Sequence, residues 1–169
     1  MRELDENTVR LGWMQASELS EEDTLAATKR FFAEQPELVD WIIPAEPSAF
    51  NEDLLQLVLI AWQIVARRES GIIRPISAID SALIERLTKK RQATIGAFLA
   101  GKQARAVSFL EGIDQVSSKV DFHQWALLGH LTEALDDLLA SGVWCREEAE
   151  SAFVSLTALV DAFDRLVKS

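Results

Sequence analysis

Leu54-Leu55-Gln56-Leu57-Val58-Leu59-Ile60-Ala61-Trp62-Gln63-Ile64-Val65-Ala66 is the stretch whose reading decides the fold. It carries no charge, and only Gln56 and Gln63 interrupt the apolar run. Its flanks suit a helix. Asn51 can accept from the free amides of a first turn, with Glu52 and Asp53 beside that turn's positive end. Arg67 and Arg68 stand at the negative end, and Gly71 can take the left-handed turn that closes it. A helix apolar on nearly every face is either a membrane span or a helix wrapped by others. The thirteen residues of this run rise about 20 Å, short of the ~30 Å hydrocarbon core. The reading is therefore a buried central helix, about 52–69, inside a soluble bundle.

Upstream, residues 1–19 lack a clean period but hold Leu11, Trp13, Met14 and Leu19, which predicts an N-terminal arm that lays Trp13 on the bundle. The rest, 20–169, reads as one helical domain. Ser20 followed by Asp23 has the form of a capping box and opens a helix through Leu25, Thr28, Phe31 and Phe32 to about Glu34. Pro36 suits the first turn of a short helix over 37–42, and Pro44 and Pro47 hold the chain extended up to the central run.

Downstream, Ile72 to Ile76 contains Pro75 and has no partner strand, so it reads as a packed loop. Ser77 with Asp80 repeats the capping pattern before Ile79, Leu83, Ile84 and Leu87. Thr88 to Gln92 is wholly polar, and a further apolar stripe runs from Ile95 to Ile113, with Gly96 and Gly101 weakening it. Asp121 caps a helix carrying Phe122, Trp125, Leu128, Leu131, Leu135 and Leu138 that ends at Gly142. A last stripe, Ala149, Ala152, Phe153, Leu156, Leu159, Val160, Phe163 and Leu166, follows so closely that the two helices must form an antiparallel hairpin. The whole is an all-α single-domain bundle of six or seven helices.

A net charge of −10 argues against nonspecific binding to nucleic acid or anionic membranes. The average hides a pattern. Residues 1–66 carry 13 acidic and 4 basic side chains, residues 67–110 carry 3 and 9, and residues 111–169 carry 11 and 4, giving −9, +6 and −7. The one cysteine, Cys145, excludes an internal disulfide, and Met1 to Asn7 is mostly acidic where a leader would be basic, so the expected setting is the cytoplasm.

No motif reaches the level of a mechanism. His123 and His130 lie seven apart, too far along a helix to share a metal, and His130 with Glu133 lacks the second Glu-x-x-His helix that a bundle di-metal site needs. No metal or cofactor is expected. Glu18-x-x-Glu21 and Glu37-x-x-Asp40 have the form of the acidic pattern of MazG-type nucleotide pyrophosphohydrolases, where four carboxylates gather Mg²⁺ around a polyphosphate. Glu18, however, precedes the Ser20 cap, so the first pair does not share a helix face.

Trp41, Trp62 and Trp125 fall on apolar faces and read as core, whereas Trp144, in the Gly-Val-Trp-Cys turn near Glu147 and Glu148, reads as an interface anchor, the alternative being a cap on the hairpin's core. Arg86, Lys89, Lys90 and Arg91 form the candidate anion-binding group, unless the chain's own acidic helices neutralise them. The expectation is a non-enzymatic regulator, adaptor or inhibitor of a basic protein partner. The alternative is a small-ligand or nucleotide binder, MazG-like hydrolysis included, with Gln56 and Gln63 facing one neighbour inside a polar pocket.

Overall fold

The computed structural model describes residues 4–46, 48–67, 76–99 and 124–168. Of these, 83% are helical and none lies in a strand, so the fold is an all-α bundle. Seven helices are described: α1 Glu6–Ser17, α2 Glu21–Glu34, α3 Pro36–Ile42, α4 Ala49–Arg67, α5 Ser81–Leu99, α6 Trp125–Ala140 and α7 Arg146–Lys168. Pro47, Arg68, Gly71, the loop 72–75, Gly101, Lys102, Arg105, the stripe 106–113, Asp121, Phe122 and His123 lie outside the described residues.

The apolar run sits in α4, which begins at Ala49, ahead of the position its flanks imply. Asn51 is not the cap. Ser48 is: its carbonyl accepts the amides of Asn51 and Glu52 at 3.0 and 3.2 Å. Asn51 lies within the first turn, and its Oδ1 reaches back to the Ser48 amide and hydroxyl at 3.0 and 2.9 Å, while its Nδ2 donates to the Ile42 carbonyl at 3.0 Å. One side chain thus joins the end of α3 to the start of α4. At 19 residues α4 is about 28 Å long, and by length and composition it could cross a membrane. Length therefore does not decide its surroundings, as the shorter run suggested. Burial is what the fold shows. Leu54, Leu57, Val58, Leu59, Ala61, Trp62, Gln63, Ile64, Val65 and Ala66 are buried, and α1, α2, α3, α6 and α7 all border the helix. The two glutamines part company. Gln56 shares a wet stripe with Glu52 on the less covered first half, whereas Gln63 falls where neighbours surround the helix.

The N-terminal segment is a full helix. Asp5 caps it through the Thr8 amide at 2.9 Å. Gly12 lets α1 approach α4 closely: a Cβ there would meet Ile64 Cγ1 at 3.0 Å. On the other side Trp13 stacks on His130 of α6, centroids 5.7 Å apart, and His130 Nε2 lies 2.9 Å from Glu6 Oε1.

Two buried glutamines fix the junctions. Gln35, between α2 and α3, donates to the carbonyls of Ile76 and Ser77 at 3.0 and 3.1 Å and accepts the Ile79 amide at 2.9 Å. That clamp keeps 76–79 out of the helix, so α5 starts at Ser81 and is capped by Asp80 through the Ala82 amide, not by Ser77. Gln124 accepts the Leu4 amide at 3.0 Å and donates to Asp164 of α7 at 2.8 Å.

α6 ends in a Schellman turn. Gly142, at φ +74°, and Val143 donate to the carbonyls of Leu139 and Leu138, each at 3.1 Å. The chain then folds back as α7, whose N-terminal turn is closed by Glu148 accepting the Cys145 amide at 2.8 Å. Along α7 the expected stripe from Ala149 to Phe163 is buried, and so are Val154, Ala158 and Ala162, since α4, α5 and α6 all border this helix.

Leu59→Ala, deep in α4, should cost about 2–5 kcal/mol in urea unfolding; a loss under about 1 kcal/mol would mean that the site collapses around the cavity or is not packed. A second expectation concerns acid. Glu37 accepts the Ser81 amide at 2.8 Å, and this bond holds its carboxyl below the ordinary 4.5. A carboxyl lowered in the fold adds stability above its unfolded value and loses it as pH falls through the folded one. Glu37→Gln should therefore melt below the parent at pH 7, with the gap closing as pH drops below about 4.5. A gap that persists at pH 3 would show that the carboxylate's charge plays no part.

Candidate functional site

Between α2 and the second half of α4 lies a cavity of about 240 Å³. α2 turns Asp23, Ala26, Ala27 and Arg30 toward it, a spacing that keeps all four on one helix face. α4 supplies Gln63 and Arg67, one turn apart, and Leu19 from the α1–α2 link completes the lining. The two alanines leave room that longer side chains would fill.

Beside the cavity, Trp62 is fully buried and meets Phe31 edge-on at 5.4 Å, with the Arg30 guanidinium 5.7 Å from the indole centroid. Arg30 is held there by Glu34, Nε to Oε1 at 2.6 Å. Arg67 donates from Nη1 to Gln15 of α1 at 2.9 Å. Its Nε is buried with no hydrogen-bond partner among the described residues, and so is the Oε1 of Gln63, a side chain only 2% exposed. Sequence reading placed Gln63 in a polar pocket but missed Asp23, Arg30 and Arg67. The i, i+4 pair Gln63 and Arg67 at the end of an apolar helix was the available signal.

The other expected site residues fare differently. Trp144 is no exposed anchor. It is 3% exposed, its ring lies 4.9 Å from Phe50, and its Nε1–H donates to Asp53 at 3.1 Å. The hairpin turn docks on the first turns of α4, and a large ring with one polar tip is what such a joint can bury. Glu148 is engaged as the α7 cap, while Glu147 is exposed. Cys145, the one cysteine, is exposed.

Arg91 leaves the anion-binding group as well. It is 3% exposed and paired with Asp161 of α7, which joins α5 to α7 across the polar stretch 88–92. Arg86, Lys89 and Lys90 remain exposed on one face of α5. Trp62 is core as expected, but Trp41 and Trp125 are only partly buried against it.

Glu18, Glu21, Glu37 and Asp40 do not converge. Glu18 is the C-cap of α1, Glu21 opens α2, and Glu37 is bound to the start of α5. Among the described residues no three His, Cys, Asp or Glu side chains gather at a metal's distance. His130 lies between Glu6, at 2.9 Å, and Glu133, whose Oε2 is 3.6 Å from Nδ1. No protein-family model, curated protein or solved structure matches this chain.

The placement of Trp144 makes it a stability residue. Trp144→Ala should lower unfolding free energy by about 3–5 kcal/mol, read by urea titration of tryptophan fluorescence and of helicity. A loss within about 0.5 kcal/mol, the range of ordinary surface substitutions, would return Trp144 to the surface.

Proposed function

We propose that this chain is a non-enzymatic cytoplasmic protein that binds a basic protein partner as a regulator, adaptor or inhibitor. The observation that supports it is the fate of the carboxylates. They stand exposed in the first turn of α2 at Glu21, Glu22 and Asp23, on α3 at Glu37 and Asp40, on α6 at Glu133 and Asp137, and on α7 at Glu147. Among the described residues exposed cations are fewer, and Arg91 is withdrawn into the fold by Asp161. Acidic faces of this kind attract a cationic partner over roughly 8 Å at physiological salt and speed its encounter. With Trp144 buried, the contact rests on these faces and not on an aromatic anchor.

The face of α5 carrying Arg86, Lys89 and Lys90 favours a second reading, since three cations at i, i+3 and i+4 suit a phosphate or an acidic peptide. Salt and charge reversal separate the two. Immobilised protein should retain basic proteins at low salt and release them as salt rises past ~0.15 M. Glu21→Lys with Glu22→Lys should weaken that capture several-fold. Recovery of acidic proteins that is lost in Lys89→Glu, Lys90→Glu would transfer the binding role to α5, and recovery indifferent to salt would defeat both readings.

A further inference from the structure

Four of the side-chain atoms buried without a hydrogen-bond partner among the described residues, Glu34 Oε2, Trp62 Nε1, Gln63 Oε1 and Arg67 Nε, belong to the pair α2 and α4, and Thr88 Oγ1 on α5 lies apart from them. Folded proteins leave few such atoms, and each one calls for a physical account. Gln63 and Arg67 give that account a place, because both line the 240 Å³ cavity.

We propose that this cavity binds a free α-amino acid with an aliphatic side chain. The chemistry follows from what each lining group lacks. Among the described residues the Nε–H of Arg67 has no acceptor, and a guanidinium edge is matched best by a carboxylate. The Oε1 of Gln63 has no donor, so the occupant must carry an N–H or O–H close to its carboxylate. Asp23 lines the same cavity, and a negative side chain there selects an ammonium over a hydroxyl and disfavours a dianion.

Arg30 adds no unmatched positive charge, since Glu34 pairs with it. The remaining lining charges, Arg67 and Asp23, are opposite and suit a zwitterion. Leu19, Ala26 and Ala27 offer the apolar wall on which an aliphatic side chain loses its water. The volume, about 240 Å³, lies below the roughly 300–1,000 Å³ of pockets for drug-sized ligands and suits a ligand of amino-acid size. The site shares Asp23 with the acidic first turn of α2, but its test does not depend on any protein partner.

Titration calorimetry and thermal shift of the whole chain provide that test, with L-valine, L-leucine and L-methionine as probes. At least one should bind and raise the melting temperature in proportion to its occupancy. For the best of them, the analogue without the ammonium and the analogue without the carboxylate (4-methylpentanoate and 3-methylbutylamine for leucine) should each bind at least about tenfold more weakly. Gln63→Leu keeps the volume and removes the orphan oxygen. The free variant should melt at or above the parent, while its affinity falls about tenfold or more. Arg67→Gln should lose affinity to at least the same extent. No response to any of the three amino acids overturns the proposal, and so does 4-methylpentanoate binding as tightly as leucine. Gln63→Leu that destabilises the free chain and leaves amino-acid binding unchanged overturns it too.

Discussion

Keeping the apolar side of α4 out of water is a constraint shared by the five helices that border it. Ten of its residues are buried, and full burial of each large apolar side chain contributes about 1.5–3 kcal/mol. That gain is opposed by the entropy of ordering every helix that does the covering, so the cover has to be close and complete. Closeness shows at Gly12, where the lack of a side chain sets how near α1 comes to Ile64. Completeness shows in the number of neighbours, five helices from both ends of the sequence. The one wet stripe, Glu52 and Gln56, lies on the less covered first half.

The helical class was legible because periodicity and caps are local. Ser20 does cap α2, with the Asp23 amide donating to its hydroxyl at 3.1 Å, and Pro36 does open α3. Where a start was misread, a distant side chain had intervened. Ser77 has the cap pattern, yet Gln35, more than forty residues away, holds 76–79 in another conformation. Asn51 looks like a cap and serves as the third residue of a turn that Ser48 begins, because Ile42 gives its amide a second partner. The polar stretch 88–92 offered no stripe to read, since what buries Arg91 there is an ion pair with α7.

Sites were harder to read than helices, for a related reason. Trp144 in a glycine-containing turn looks exposed from its neighbours in sequence, and only the return of the hairpin onto Phe50 and Asp53 buries it. The cavity is lined from two helices more than thirty residues apart. Each half taken alone is ordinary: two alanines between charged residues on α2, and a glutamine and an arginine at the end of an apolar helix on α4. Their meeting depends on how α2 crosses α4, which no local pattern encodes.

Gln124 has a consequence for the order in which the chain assembles. Its single amide joins Leu4, 120 residues before it, to Asp164, 40 residues after it. A contact of that span closes a long loop, and such closure is slow compared with the growth of a helix. During synthesis α1 is made before Gln124, which holds Leu4, and before Asp164 of α7, which holds Gln124. Until both are made Val9 and Trp13, which the finished fold covers, have only part of their cover in place. The anchoring of α1 thus depends on residues far downstream of it, and until they are in place its Leu4 end is the part of the helix most open to aggregation or cleavage.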